Sequence, residues 1–275
     1  MSYKTIMVHL HMGDPNAALL QVAKNIAERL NAKVIGIIVG QQTQMIYGRG
    51  YAMMDFFDLE DAQLEKNITT AETLFRDAFK GFSGHLEWRS TITREPMINY
   101  IVSEARSADL IITGVSPTDF YEGPAAVTAG EIVMKSGRPV LVVPVKTEKL
   151  MLDNMLVGWK ETREARRAIA DALPLLQLAK QVTVVEVAGK SDKKATNQHL
   201  QDVASWLKLH NIKASCLTHI IKDDDVTDFV AIAKNQKANL VVAGAYGHTR
   251  LREWALGGVT NELLHSTNFC SLLSH

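Results

Sequence analysis

Short runs rich in β-branched residues alternate along the chain with longer stretches whose apolar positions recur every three or four residues. That alternation is the signature of β-α-β units and a parallel sheet, whose strands are buried on both faces and read as unbroken apolar runs. The first half predicts strands at Thr5–Leu10, Ala32–Val39, His85–Thr91, Asp109–Thr113 and Pro139–Val143. The second half predicts them at Asn154–Gly158, Gln181–Val187, Lys213–His219, Asn239–Ala243 and Phe269–Ser274.

The two sets follow the same order, and the halves share wording. Ser107-Ala108-Asp109-Leu110-Ile111-Ile112-Thr113-Gly114 parallels Lys237-Ala238-Asn239-Leu240-Val241-Val242-Ala243-Gly244. Self-similarity of this kind points to duplication. The polar stretch Val145–Lys149 follows Pro144 and reads as the linker, which divides the chain into residues 1–147 and 148–275. Asp14-Pro15 reads as a helix start, a capping side chain followed by proline at the first helical position. Thr162 or Glu161 opens a helix over Arg163–Leu178 with Ala168, Ile169, Ala172, Leu173, Leu175 and Leu176 as its buried stripe. Helices on both faces of a parallel sheet make an α/β/α three-layer sandwich, here built twice.

Composition narrows the function classes. Lys plus Arg and Asp plus Glu both number 30, so no net field draws the chain to nucleic acid or to an anionic membrane. No apolar run approaches the roughly 18 residues of a membrane-spanning helix. The N-terminus is already a strand and lacks a leader's apolar core, so a cytoplasmic setting is expected. Cys216 and Cys270 lie in apolar runs and read as buried, inert thiols.

One segment carries candidate chemistry. Gly244, Gly247, Gly257 and Gly258 lie in a loop that leaves the strand Asn239–Ala243 and enters the helical run Val259–His265. Glycines at a strand exit let the backbone approach a ligand closely, and unpaired amides at a helix start favour an anion. Together they describe a phosphate cradle, with Arg250 and Arg252 between the glycine groups. The alternative is that these glycines serve only turns and a helix cap.

The spacing Gly244-x2-Gly247-x9-Gly257, followed by Val259-Thr260, resembles the ATP-binding motif of the universal stress protein family. The resemblance covers the whole chain as a tandem of two such domains. It implies two α/β/α sandwiches, each with a five-stranded parallel sheet of the universal stress protein/adenine nucleotide α-hydrolase-like kind. It implies ATP or ADP, with or without Mg, held through Gly244, Gly247, Gly257 and Gly258, with His248, Val259 and Thr260 close by. Val187 matches the residue whose backbone meets adenine. Lys160 stands where the family's first strand ends in aspartate, and Trp159 precedes it. An ammonium only donates hydrogen bonds, so Lys160 changes ribose or base recognition or reaches a phosphate. Trp159 stacks on a base or, as the commoner role, caps the core. Gly258 replaces the motif's serine or threonine, which removes a hydroxyl and keeps the amide. The fifth strands of such domains pair edge to edge, implying an intramolecular pseudo-dimer, with a homodimer of the whole chain also open.

The N-terminal half departs further. Pro117 replaces the second glycine and has no amide N–H, Asp119 and Glu122 repel phosphate, and the nearest copy of the helix start is Ala129-Gly130-Glu131. This half reads as degenerate for nucleotide. His9 and His11 share one face of the first strand at its ligand end. They suit a pocket rim, or the beginning of a metal site with Asp119 or Glu122, although no third ligand has recognisable spacing. Gly40–Phe57, rich in Met and Tyr, reads as a lid, a partner surface or packing over its own domain. His248 and Asn261 flank the cradle, and no residue stands out as a general base, so no catalytic residue and at most slow ATP hydrolysis are expected. The expected function is a stress-response protein regulated by adenine nucleotide. The rivals are a scaffold or small-ligand binder of the same fold, and a nucleotide-dependent transferase or ligase that the missing base disfavours.

Overall fold

The computed structural model describes residues 2–42, 52–115, 127–147, 149–189, 193–222, 224–246 and 258–275, with backbone alone for 52–57, 193 and 194. The first half runs β1 (Thr5–His9), α1 (Ala17–Leu30), β2 (Lys33–Gln41), α2 (Ala52–Ala78), β3 (Leu86–Thr93), α3 (Met97–Glu104), β4 (Leu110–Gly114), α4 (Ala129–Ser136) and β5 (Val140–Val143). The second runs β6 (Asn154–Gly158), α5 (Arg163–Leu176), β7 (Gln181–Ala188), α6 (Lys193–Leu209), β8 (Ala214–Ile220), α7 (Asp225–Asn235), β9 (Leu240–Gly244), α8 (Gly258–Leu264) and β10 (Cys270–Ser274). Each expected strand is present within two residues of its expected bounds.

The strands form one continuous sheet in the order β3-β2-β1-β4-β5-β10-β9-β6-β7-β8. Within each half every pairing is parallel and the order is the same, so the two halves are copies of one topology. They meet where β5 pairs antiparallel with β10, Leu141 opposite Leu272 and Val140 opposite Leu273. That junction places one edge of each half in the middle of the sheet and leaves β3 and β8 as the outer edges. β3 carries an ionic row on one face, while Leu86 and Trp88 on the other pack against the core. Arg89 first and Lys33 second hold the Glu87 carboxyl down at about 2, and Arg89 continues to Glu104 at 2.6 Å.

Two apolar cores flank the sheet. One lies under α1, α2, α5 and α6 and runs without a break from Ile6 and Phe75 to Ile169 and Leu207. The other lies under α3, α4, α7 and α8, from Ile35 and Ile132 to Phe229 and Leu263. The stripe expected on α5 is buried throughout, and Thr162 caps that helix by accepting from the Ala165 amide at 3.2 Å. α1 starts later than Asp14-Pro15 suggests. Its flanking residue is Asn16, whose amide side chain ties down the turn by accepting from the His11 amide and donating to the carbonyls of His11 and Asp14. Cys216 and Cys270 are free thiols, and burial pushes both up, Cys270 to about 12. Among the described residues no helix is long and apolar enough to cross a membrane. Residues 43–51 of the Gly40–Phe57 segment lie outside the described residues.

Tyr3 ties the halves together outside the sheet. It is buried, and its hydroxyl donates to the Asp171 carbonyl of α5 at 2.5 Å. Burial, then the nearby Asp171 and Asp109 carboxylates, keep the phenol protonated. Tyr3→Phe removes the donor while the Asp171 carbonyl keeps its place in the α5 ladder, so stability should fall by about 1 kcal/mol. The check is a lower urea midpoint at unchanged denaturant slope; an unmoved midpoint would show that this bond adds nothing.

Candidate functional site

In a sheet of this kind the crevice opens at the carboxyl ends of the strands, where the strand order reverses. In the second half that place is between β6 and β9, which are neighbours with Gly158 opposite Ala243. Four elements close around it. β6 ends at Gly158, against which the Phe229 ring of α7 packs so closely that an added Cβ would lie 3.0 Å from it. Trp159 turns into the α5/α6 core, where it is 7% exposed and its indole donates to Glu161 at 3.1 Å. Lys160 meets α7 instead: its Nζ lies 3.0 Å from Asp225 Oδ2. The first turn of α5 rests on the end of β9, so that a Cβ on Gly244 would come within 2.5 Å of the Glu164 backbone. α8 begins at Gly258, where a Cβ would come within 2.6 Å of Val226 on α7.

The other expected contact residues fall around the same crevice. Val187 is half-buried at the end of β7, opposite His219 and on the α7/α8 side of the sheet. Val259 is half-buried there too, whereas Thr260 is buried with Leu263 and Leu264 on the inner face of α8. Gly247, His248 and Gly257, with Arg250 and Arg252, lie outside the described residues. Asn261 is exposed, and its carbonyl bonds to the His265 ring at 2.8 Å.

Two residues at this site have no local sequence signal. Asp225 belongs to an acidic helix start, and only the fold shows that it meets Lys160. Tyr246, two residues past Gly244, has a left-handed backbone with φ of 63°. Its hydroxyl reaches the other half, so close to Gly130 of α4 that a Cβ there would lie 2.7 Å away. Burial, and then Glu131, push its phenol up to about 12.

The first half offers an instructive contrast. The registers of β1 with β2 and β4 match those of β6 with β7 and β9, which makes His9 equivalent to Gly158 and Thr113 equivalent to Ala243, with His11 and Lys160 both two residues further on. Both imidazoles turn to one hydroxyl. His9 Nδ1 lies 3.0 Å and His11 Nε2 3.1 Å from Thr113 Oγ1, with the rings 4.7 Å apart. Burial, reinforced by the neighbouring ring, pushes His9 far below the usual imidazole range. Burial also lowers His11, partly offset by Asp14 and by the Gly114 carbonyl. Beside them lies a cavity of about 20 Å³, lined by His11, Asp14, Asn16, Gly114 and Val143 among others, with room for one water. Asp119 and Glu122 lie outside the described residues, and among the described ones no three His, Cys, Asp or Glu side chains converge.

The helix start of α4 is closed by its own side chains. Thr128 accepts from the Glu131 amide at 3.2 Å while Glu131 accepts from the Thr128 amide. That reciprocal cap occupies the amides an anion would need and adds a carboxylate. Matching buried positions, Ala129, Ile132 and Val133 against Thr260, Leu263 and Leu264, set Val127 opposite Gly258, so the first half has no glycine at this place.

A family model described as Universal stress protein family matches residues 151–273. Among solved structures, a universal stress protein from Archaeoglobus fulgidus superposes with a TM-score of 0.72 at 13% identity, over 98% of this chain and 97% of that one. A putative universal stress protein from Pseudomonas aeruginosa superposes with a TM-score of 0.60 at 13% identity, over 99% and 93%. A functionally unknown protein from the same species gives 0.63 at 13%, over 99% and 92%. At these identities the likeness is one of fold. The comparison with curated proteins returned no match. Residues 151–273 thus match the universal stress protein family, and the strand order of that half recurs in the first.

Proposed function

We propose that the C-terminal half, residues 148–275, binds ATP or ADP, with or without Mg, and that occupancy regulates a cytoplasmic stress-response protein. The carrying observation is that Gly244 and Gly258, the described ends of the glycine spacing, both border the β6/β9 crevice that holds Lys160. Lys160 supplies a cation there, and Val187 lies at the neighbouring strand end. The N-terminal half, residues 1–147, is proposed as the degenerate copy, because Glu131 and Thr128 fill its helix start. Among the described residues at the crevice the carboxylate next to Lys160 is engaged by it and Thr260 is buried. Binding with at most slow hydrolysis fits this set better than committed catalysis.

A scaffold without nucleotide is the second reading, and one observation favours it. Gly244 and Gly258 both have a packing reason to be glycine. The readings separate on protein purified without added nucleotide, heat-denatured, and assayed by mass spectrometry for released small molecules. Co-purified ATP or ADP supports binding. Mg-ATP at a hundred times its Kd should add about 2.7 kcal/mol, a rise in Tm of roughly 5 °C or more. Gly247→Val or Gly257→Val should abolish that rise. Empty protein whose Tm ignores millimolar Mg-ATP would sink the nucleotide reading.

A further inference from the structure

The ion pair of Lys160 and Asp225 sits at the mouth of the crevice with side chains 43% and 40% exposed. A pair this exposed is weakly held and exchanges readily with a ligand's own charges and hydroxyls. Several of the described ionic groups on the neighbouring elements are engaged. Asp224 caps α7, accepting from the amides of Val226 at 2.8 Å and Thr227 at 3.0 Å and from the Thr227 hydroxyl at 2.6 Å. Asp228 is buried, accepts from the Lys222 amide at 2.7 Å and faces His219 at 3.4 Å. Arg163 is bound to Glu164 and Arg166 to Glu161. The Val226 and Thr227 amides at the α7 start are therefore satisfied by its own cap. A guest at the end of β6 meets one ammonium from the β6–α5 connection and one carboxylate from the first turn of α7, side by side.

The two groups demand opposite chemistry. A carboxylate only accepts, and its two oxygens suit two adjacent hydroxyls; an ammonium only donates and pairs with an oxyanion. A ribose bearing a phosphate offers both on one small unit. We propose that Asp225 and Lys160 are the specificity pair of the crevice. Asp225 takes the 2′- and 3′-hydroxyls of a nucleotide's ribose, and Lys160 takes its phosphate. This rests on the nucleotide reading above and adds which part of the nucleotide is recognised. It also gives the lysine a purpose: without a cation beside it, Asp225 would repel the phosphate that its hydroxyl contacts bring in.

The test titrates the full chain calorimetrically with Mg-ATP, 2′-deoxy-ATP, 3′-deoxy-ATP and inorganic triphosphate. Wild type should bind ATP at least tenfold more tightly than either deoxy analogue. Asp225→Asn should bring those ratios close to one while leaving triphosphate binding intact. Lys160→Met should weaken ATP and triphosphate alike by about tenfold and keep the ATP-to-deoxy ratio. Melting curves of both variants establish that they are folded. Equal affinity for ATP and the deoxy analogues in wild type, or an unchanged ratio in Asp225→Asn, overturns the proposal while nucleotide binding stands. Absence of binding by any nucleotide overturns the nucleotide reading itself, and this proposal with it.

Discussion

Gly244→Ala is expected to destabilise the protein by about 3 kcal/mol, and the same change at the equivalent Gly114 is expected to be neutral or slightly stabilising. The two glycines end equivalent strands, and neither has a left-handed backbone, so the difference is one of space. At Gly244 the new Cβ would lie 2.5 Å from the Glu164 carbonyl carbon and 2.6 Å from the Ala165 nitrogen. Backbone atoms cannot rotate away as a side-chain tip can, so α5 must move, and its buried stripe must move with it. At Gly114 the nearest atoms are the His11 ring at 3.8 Å and the Val143 carbonyl at 3.9 Å, which is ordinary contact.

The cause lies in the connections. Residues 159–162 carry β6 into α5, whereas the longer segment 10–16 carries β1 into α1. The short connection draws the α5 start down onto its sheet. The long one holds α1 off and leaves the small cavity beside His11. Urea unfolding of the two variants checks the difference, and equal midpoints would show that α5 shifts without cost. The result also governs how binding experiments are read. A Gly244 variant disturbs packing and ligand contact together, so Gly247 and Gly257 are the better probes of the proposed cradle.

Much of this architecture was legible as local pattern. β2 is buried along nearly its whole length, and Val34–Val39 reads as a continuous apolar run because parallel strands are covered on both faces. The junction was not legible that way. Val140–Val143 and Cys270–Ser274 look like any other buried strand, and nothing in their periodicity says that they pair with each other; only the family resemblance implied it. The same limit applies at the site. Glycine spacing is a local signal, but the partner of Lys160 is set by sheet order, which brings α7 across β6. Alternation placed His9 and His11 on one face, while the hydroxyl between them belongs to β4, far along the chain. At the start of α1 the local rule failed: Asp14-Pro15 has the better capping composition, yet Asn16 holds the turn because its amide side chain both donates and accepts.

Acidification from pH 7.5 to 5 should lower stability through His9, by up to about 1.4 kcal/mol for each pH unit below 6.5, and further through His11. His9 is 4% exposed and sits beside a second imidazole, so the folded state resists its protonation. The sign follows from where the proton goes. In the unfolded chain His9 returns to its ordinary value of 6.5, so below that pH the unfolded state takes up a proton that the folded state refuses. Stability is therefore complete above about pH 6.5 and declines by about 1.4 kcal/mol per pH unit below it, until the folded group also titrates. The single Thr113 hydroxyl sharpens the effect. It donates one hydrogen bond and accepts others, so it can serve two neutral rings, one as acceptor and one as donor. A protonated His9 would place its charge 4.7 Å from the His11 ring in a buried site. Asp14 helps His11 tolerate a proton, so His9 should dominate. His9→Gln keeps a side chain that can still bond Thr113 and cannot titrate. It should cost some stability at neutral pH and flatten the loss on acidification. Urea midpoints at pH 7.5, 6.5, 5.8 and 5, with hydrogen exchange of peptides covering β1 and β4, measure both. A variant that loses stability with the same slope as wild type would place the acid sensitivity elsewhere in the molecule.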